Sequence, residues 1–223
     1  MRKSEVEIVP AILRRTLEGM TADWNRVVQA AQHIHLDITD GVFAGEGSFR
    51  ELRAFKKLPQ SEKIGLHMMV HNPGQYVDDI LDLQPARVVF HVGAFSDGGH
   101  LDLVYKKLRE SPGLELGLGL ASTNPVKWLF EQVPLVDFVQ FLNVVPGYQG
   151  GSLDPTSFQR IGHFRERFPQ VPIAVDGSVN KETIPDYIRA GASILCAGSA
   201  VFKAGDPTEN IEQLRLVAEG ARV

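Results

Sequence analysis

Two residues with metal-ligand side chains, His35 and Asp37, stand two positions apart in the apolar stretch 34–38. If this stretch is a β-strand, the alternation of side chains sends both residues to the same face. An imidazole beside a carboxylate makes a poor apolar core but supplies half of a metal site. The pair therefore raises the question of whether the chain supplies the other half.

Two further residues of the same types follow other apolar stretches. His67 lies within 64–70, and Asp176 follows 171–175. Two neutral imidazoles and two carboxylates suit a divalent ion such as zinc, manganese or iron(II). For His67 alone, a hydrogen-bonded interior histidine is an equally good explanation. Asp37 and Asp176 are harder to explain without a site, because a buried ionised carboxylate needs a cation or several donors.

Short apolar runs alternate with helix-length amphipathic stretches along the whole chain, which is typical of repeated βα units and a parallel sheet. Helices are expected at 22–31, 49–57, 73–83, 124–132, 155–168 and 207–218. A further helix is expected to end at 109, and another to begin near 181. Thr21 and Asn180 are candidate N-caps. The eight predicted strands are 6–10, 33–38, 64–70, 87–92, 114–120, 138–142, 171–175 and 193–197.

Eight βα units in 223 residues favour a closed (β/α)8 TIM barrel over an open doubly wound sheet. We expect one domain over residues 1–223. Active sites of this fold lie at the carboxyl ends of the strands, where the four ligand-type residues are predicted to meet. His91, on the fourth predicted strand, could line the same mouth, whereas Asp40, which precedes Gly41, is better explained as a turn residue.

Glycine-bearing loops follow the last three predicted strands. Such loops and a helix N-terminus present backbone N–H groups to an anion, which indicates a phosphate site. Glycines alone would indicate only tight turns, but two of these loops also carry a serine. The residues are Gly147 and Gly150 after strand six, Gly177 and Ser178 after strand seven, and Gly198 and Ser199 after strand eight.

The composition excludes several classes of partner. The formal net charge of −4 shows no basic excess for nucleic acid. No apolar run approaches the length that spans a membrane, and the N-terminus lacks the apolar core of a signal peptide, so a cytoplasmic protein with no membrane partner is expected. The single cysteine, Cys196, rules out an internal disulfide and predicts an inert buried thiol.

The order and spacing of six short motifs resemble the ribulose-phosphate 3-epimerase family over the whole chain. The motifs are VPAIL (9–13), HLDITDG (35–41), LHMMV (66–70), PGY (146–148), VDGSVN (175–180) and AGSAVF (197–202). The resemblance implies a TIM barrel that binds one divalent ion, namely zinc, manganese, iron or cobalt. It implies His35, Asp37, His67 and Asp176 as the ligands, with Asp37 and Asp176 also serving as the acid/base pair.

The resemblance also implies a substrate and a reaction. The substrate would be a ketose phosphate held at Gly177, Ser178, Gly198 and Ser199, with Met69 as an apolar neighbour. The reaction would convert D-ribulose 5-phosphate to D-xylulose 5-phosphate, a step of the pentose phosphate pathway, and a homo-oligomer is expected. Inverting the carbon next to a ketone removes a proton from one face and returns one to the other, so two carboxylates must flank that carbon.

Several positions depart from the family pattern, among them four single replacements. Ala11 replaces a serine, Thr39 and Leu142 replace methionines, and Val42 replaces a histidine. These changes leave two alternatives open: an epimerase of allulose 6-phosphate, and a catalytically weak paralogue that binds phosphosugars. A decarboxylase of the orotidine or ketogulonate type would require a lysine at the position of Thr39.

Overall fold

Eight parallel strands form a closed barrel in the computed structural model, which describes residues 6–95, 98–144 and 152–221. Each strand pairs with its sequence neighbours, and the eighth pairs with the first, so the predicted TIM barrel is confirmed. Every predicted strand is present, with ends displaced by at most two residues. The strands are β1 (Glu7–Ile12), β2 (Ile34–Thr39), β3 (Ile64–Met69), β4 (Arg87–His91), β5 (Glu115–Ala121), β6 (Phe138–Leu142), β7 (Ile173–Asp176) and β8 (Ile194–Ala197).

Helices connect most of the strands. They are α1 (Leu17–Val27), α2 (Val77–Leu83), α3 (Gly98–Leu108), α4 (Ser157–Arg167), α5 (Ile184–Ala190), α6 (Ser199–Phe202) and α7 (Pro207–Gly220). In the described part of the chain, no helix is long and apolar enough to cross a membrane.

Some helix predictions were wrong in detail. α1 begins at Leu17 rather than at 22, because the hydroxyl of Thr16, not Thr21, accepts the hydrogen bond of the Gly19 amide. Stretches 49–57 and 124–132 contain only 3-10 turns, at Leu52–Lys57 and Val126–Leu129. Pro59 and Pro134 shortly afterwards disfavour a longer α-helix. The Asn180 side chain caps the turn that precedes α5, accepting from the amides of Glu182 and Thr183.

The two faces of the strands have different compositions. One alternating set of residues, which includes Leu36, Leu66, Phe90 and Leu118, packs with the helices in the main apolar core. The other set points into the barrel and contains the buried histidines, aspartates and Gln140. The chemistry of the molecule therefore lies on the inner face.

Two glycines of β5 make room for large rings inside the barrel. A Cβ on Gly117 would lie 2.4 Å from the Phe138 ring, and a Cβ on Gly119 would lie 3.0 Å from the His91 ring. His91 and Gly119 are register partners on neighbouring strands. Because Gly117 and Gly119 have no side chains, the rings of Phe138 and His91 can lie against β5.

Charged residues close the amino-terminal end of the barrel. Glu7 accepts a hydrogen bond from Arg87 at 2.8 Å and lies 2.6 Å from His33 Nδ1. Arg87 also donates from Nε to Glu115 at 2.6 Å. Paired in this way, Glu7 and Arg87 can remain ionised although both are largely buried.

Candidate metal and active site

His35, Asp37, His67 and Asp176 come together at the carboxyl mouth of the barrel. His35 and Asp37 lie in β2, His67 is the register partner of Asp37 on β3, and Asp176 ends β7. All four side chains are buried. One potential ligand atom from each residue lies within 4.8 Å of those of the other three. The structure thus places the four sequence-predicted ligands in one group.

The contacts within the group converge on Asp37 and His67. His67 Nδ1 lies 2.8 Å from Asp37 Oδ1 and 3.4 Å from Asp176 Oδ2. His35 Nε2 lies 3.6 Å from Asp37 Oδ1 and has no hydrogen-bond partner among the described residues. A buried imidazole nitrogen without a partner is costly unless the nitrogen has another function, such as binding a metal.

Burial sets the charge state of this group. It lowers the pKa of His67 to about 3 and lowers the pKa of His35 well below its usual value, so both imidazoles stay neutral. Burial also raises the pKa of Asp37 to about 8. The pKa of Asp176 is raised well above its usual value by burial and then by the charge of Asp37. Two carboxylates in so small a space require either protons or a cation.

These observations fit a divalent cation. Neutral imidazoles and closely spaced carboxylates are the forms that bind such an ion, and the unpartnered His35 Nε2 supplies a free ligand atom. The donor set of two nitrogens and two oxygens suits zinc, manganese, iron(II) and cobalt. It does not select one metal among them.

His91 contacts His67 from the side away from the two aspartates of the group, and the sequence alone does not predict this contact. Its Nε2 lies 2.7 Å from Nε2 of His67, on the side of the His67 ring away from Nδ1. His91 Nδ1 has no partner among the described residues. Strand alternation correctly placed His91 inside the barrel, but the pairing with His67 depends on the register of β3 and β4 and on the space left by Gly119.

The predicted phosphate residues line the same pocket as the two aspartates. Gly177, Ser178, Gly198 and Ser199 share this pocket with Asp37, Asp176 and Met69. Gly177 has a φ of +97° and Ser178 a φ of +52°, so the chain turns sharply just after Asp176. The Tyr187 hydroxyl donates to the Gly177 carbonyl, and the Thr183 hydroxyl to the Ser178 carbonyl. Gly147 and Gly150 lie outside the described residues.

Apolar side chains form one wall of the pocket. Met69 is buried and packs in a small cluster with Ala44, Leu142 and Val144. Met69, Leu142 and Val144 line the pocket, as does Ala11 on β1. Two of the four departures from the family pattern, Ala11 and Leu142, are therefore in direct reach of a bound molecule.

The other two departures lie in different surroundings. Thr39 is buried and is the register partner of Met69, whereas Val42 is 76% exposed. The Asp40 carboxylate accepts from the amides of Val42 and Phe43, as expected for a turn residue. It also accepts from the His71 amide at 2.6 Å, which ties the loop after β2 to the loop after β3.

The fold and the site together define a TIM-barrel protein with a metal-type His/Asp cluster beside a pocket at the carboxyl ends of the strands. Among solved structures, the chain is similar to orotidine 5′-monophosphate decarboxylase from Sulfolobus solfataricus. The TM-score is 0.66 at 13% identity, over 98% of this chain and 100% of that one. At that identity the likeness concerns the fold alone.

Residues 7–202 match the model of the ribulose-phosphate 3-epimerase family. The chain is 33% identical to ribulose-phosphate 3-epimerase of Eremothecium gossypii, over 93% of this chain and 91% of the relative. It is 29% identical to the cytoplasmic isoform of the rice enzyme, Oryza sativa subsp. japonica, over 97% and 96% of the two chains. The chain belongs to the ribulose-phosphate 3-epimerase family, which confirms the predicted family and the predicted class of enzyme, an isomerase.

Proposed function

We propose that the protein is a metal-dependent epimerase that converts D-ribulose 5-phosphate to D-xylulose 5-phosphate. The observation that carries this proposal is the convergence of Asp37 and Asp176, which come from strands separated by β1 and β8 in the closed barrel. Curated relatives that match nearly the whole chain are named for this reaction. The cytoplasmic location and the homo-oligomeric state stay predictions.

Asp37 and Asp176 act as the acid/base pair. One carboxylate removes the proton from the carbon next to the ketone, and the other, in its acid form, delivers a proton to the opposite face of the resulting enediolate. Burial raises the pKa of both groups in the metal-free protein, and the positive charge of a bound ion would lower these pKa values again, toward the range in which carboxyls exchange protons near neutral pH. The pair can therefore serve the reaction in both directions, with the two roles exchanged.

His35, His67, Asp37 and Asp176 would hold the divalent ion. When bound, that ion supplies positive charge that stabilises the negative charge developing on the substrate. The two histidines have no acid/base role in this mechanism, because burial lowers their pKa values and makes them weak bases. Their function is to orient the cluster so that the carboxylates face the pocket.

Backbone amides and hydroxyls hold the phosphate in this proposal. Gly177, Ser178, Gly198 and Ser199 line one part of the pocket that the aspartates share, and amides in such loops bind anions without a lysine. Gly147 and Gly150 are proposed to contribute from the loop after β6. Met69, with Leu142 and Val144, covers the reacting carbon with apolar surface and limits the access of water.

A hexulose 6-phosphate, allulose 6-phosphate, is the second candidate substrate. The observation that favours it is Ala11, which lines the pocket and lacks the size and hydroxyl of a serine. Because Ala11 is smaller than serine and makes no side-chain hydrogen bond, the pocket beside it has more room, which would favour the longer hexulose phosphate over the pentulose phosphate.

Turnover assays with both sugar phosphates test the proposal. The metal-free protein is loaded separately with zinc, manganese, iron(II) or cobalt, and the formation of the C3 epimer is followed for each substrate. We expect turnover of ribulose 5-phosphate at a kcat/KM at least tenfold above that for allulose 6-phosphate, loss of activity on chelation, and recovery when the metal is restored. Faster turnover of allulose 6-phosphate would establish the second candidate. Binding of both compounds without turnover by any metal form would contradict the epimerase assignment.

A further inference from the structure

The short contact between His67 and His91 constrains where their protons lie. Two neutral imidazoles each carry one N–H and one free nitrogen. Their Nε2 atoms are 2.7 Å apart, so one of the two must donate and the other accept. The contact thus has two possible states that differ in which ring holds the shared proton.

The metal cluster decides between these states. His67 Nδ1 faces Asp37 Oδ1 at 2.8 Å and Asp176 Oδ2 at 3.4 Å, so Nδ1 is the nitrogen available to a metal. A ligating nitrogen carries no proton, so the proton of a neutral His67 must be on Nε2. His91 Nε2 must then accept that hydrogen bond, and the single proton of His91 must be on its Nδ1.

The surroundings of His91 hold the ring in the position this requires. Its side chain is buried, and a Cβ on Gly119 would lie 3.0 Å from its Cε1 and Nε2 atoms. On another side, the Phe43 ring lies 5.4 Å away between centroids. Phe43 is in turn anchored through its amide, which donates to Asp40 at 2.8 Å. The His91 ring therefore packs over Gly119 of β5 on one side and beside Phe43, from the loop after β2, on another.

We propose that His91 is a positioning residue for the metal ligand His67, accepting the hydrogen bond of His67 Nε2–H and so fixing the tautomer that leaves Nδ1 free for the metal. This inference rests on the metal-dependent function proposed above. Ligating histidines commonly donate their second nitrogen to an acceptor, which is usually a carboxylate or a carbonyl. In this barrel the acceptor is a second neutral imidazole, which orients the ligand without adding a negative charge to a site that already holds two carboxylates.

Nitrogen-15 NMR of the intact, zinc-loaded protein tests the proton positions directly. We expect His67 protonated on Nε2 only and His91 protonated on Nδ1 only. A zinc-loaded protein in which His91 carries its proton on Nε2 would overturn the proposal, because that nitrogen could then not accept from His67. This measurement needs no variant to fold.

Zinc affinity, measured by competition with a chelator, tests the energetic role. His91→Phe keeps a ring of similar volume but removes the acceptor, and we expect a loss of roughly 10- to 100-fold in affinity. His91→Gln, whose amide oxygen can reach the place of Nε2, should stay within about threefold of the wild type. His33→Phe is the matched control, since His33 is a partly buried histidine that bonds to Glu7 and makes no hydrogen bond to the cluster within the described part of the chain. The zinc affinity of this variant should be unchanged.

The failures of the two proposals have different signatures. If folded His91→Phe binds zinc as tightly as the wild type while Asp176→Asn binds it more weakly, the role of His91 is refuted and the metal site stands. If the wild type and Asp176→Asn bind zinc equally weakly, the metal site itself is refuted, and the role of His91 with it.

Discussion

Asp37 Oδ1 lies 2.8 Å from Nδ1 of His67, its register partner on the neighbouring strand. Side chains of register partners on adjacent parallel strands project side by side, so the pairing of β2 with β3 alone brings a carboxylate against an imidazole. Both groups are buried, which holds the imidazole neutral and makes the carboxyl retain its proton in the absence of a cation. This relationship governs how metal binding should depend on pH.

Metal affinity should increase with pH up to about 8. Burial raises the pKa of Asp37 to about 8, so below that pH a metal must displace a proton from the carboxyl. The pKa of His67 is lowered to about 3, so this imidazole does not compete for protons above about pH 4. Release of the Asp37 proton alone makes the affinity rise about tenfold per pH unit, and release of a second proton from Asp176, whose pKa is also raised, makes the rise steeper.

Chelator competition with zinc at pH 6, 7 and 8 measures this dependence. Calorimetry in buffers of different ionisation heat should show proton release below pH 8. An affinity that is flat over this range, or that falls as the pH rises, would show that the carboxyls are already ionised without the metal.

Gly117→Ala should lower the free energy of unfolding by about 2 kcal/mol, a usual cost of overpacking. The added Cβ would lie 2.4 Å from the Phe138 ring inside the barrel, where the ring has little room to move. Gly162→Ala is the matched control, because a Cβ at that helical position meets nothing within 4 Å. It should stabilise the protein by up to about 1 kcal/mol through helix propensity.

Urea denaturation of the two variants and the wild type provides the comparison. Equal stability of Gly117→Ala and the wild type would mean that Phe138 can leave its position over β5 at little cost, contrary to the packing seen here.

Glu7→Gln should destabilise the protein by about 2 kcal/mol near neutral pH, the value of hydrogen bonds to a charged group. Burial raises the pKa of Glu7, but its hydrogen bonds with His33 and Arg87 outweigh burial, and the net pKa is lowered from 4.5. A carboxyl with a lowered folded-state pKa contributes stability above its unfolded-state pKa and loses it as the pH falls through the folded-state value.

The difference in unfolding free energy between wild type and Glu7→Gln should therefore be constant from about pH 5 to 7 and shrink below 4.5. Urea titrations at several pH values measure it. Glu115→Gln serves as the control, because it removes the charge of the half-exposed partner of Arg87. It should lower the free energy of unfolding by less than about 1 kcal/mol. A Glu7→Gln difference that grows as the pH falls would contradict the assigned ion pair.

The barrel was predictable from the sequence because its strands are short apolar runs separated by helix-length stretches, and alternation on β2 placed His35 and Asp37 on one face. The grouping of the four candidate ligands was predictable for the same reason, since His35, Asp37 and His67 share the inner face of β2 and β3 and Asp176 ends β7. That residues 1–223 form one domain stays a prediction. The start of α1 was misplaced because Thr21 and Thr16 are both plausible caps, and only the fold shows which hydroxyl meets a free amide.

The contacts behind the site were not predictable. The His67–His91 contact requires the register of β3 and β4, and it also requires the space above Gly119. The bond from the His71 amide to Asp40 joins two loops of irregular structure, for which the sequence carries no periodic signal. Both depend on three-dimensional packing between residues distant in the chain.

Thr39→Met should shift the preference between ribulose 5-phosphate and allulose 6-phosphate toward the shorter sugar by about tenfold in the ratio of kcat/KM, within the range that one apolar group can supply. Thr39 pairs in register with Met69, so a longer apolar side chain would extend the wall that Met69 begins and reduce the space for a longer sugar. Initial rates with both substrates measure the ratio. An unchanged ratio would exclude Thr39 as a determinant of substrate length.

The most direct test of the two-aspartate mechanism follows the proton itself. Metal-loaded protein is incubated with D-ribulose 5-phosphate in deuterated water, and deuterium at C3 is measured in the recovered substrate and in the product. The variants are Asp37→Asn and Asp176→Asn, each checked for retained metal, with Asp186→Asn as an exposed carboxylate control.

We expect the wild type and the control to incorporate deuterium at C3 of the product at the same rate. Each active-site variant should lose epimerisation by at least 1,000-fold, an estimate of about 4 kcal/mol in the barrier for the loss of a catalytic base. Epimerisation with solvent deuterium at near wild-type rate in either variant would contradict the assignment of Asp37 and Asp176 as the acid/base pair.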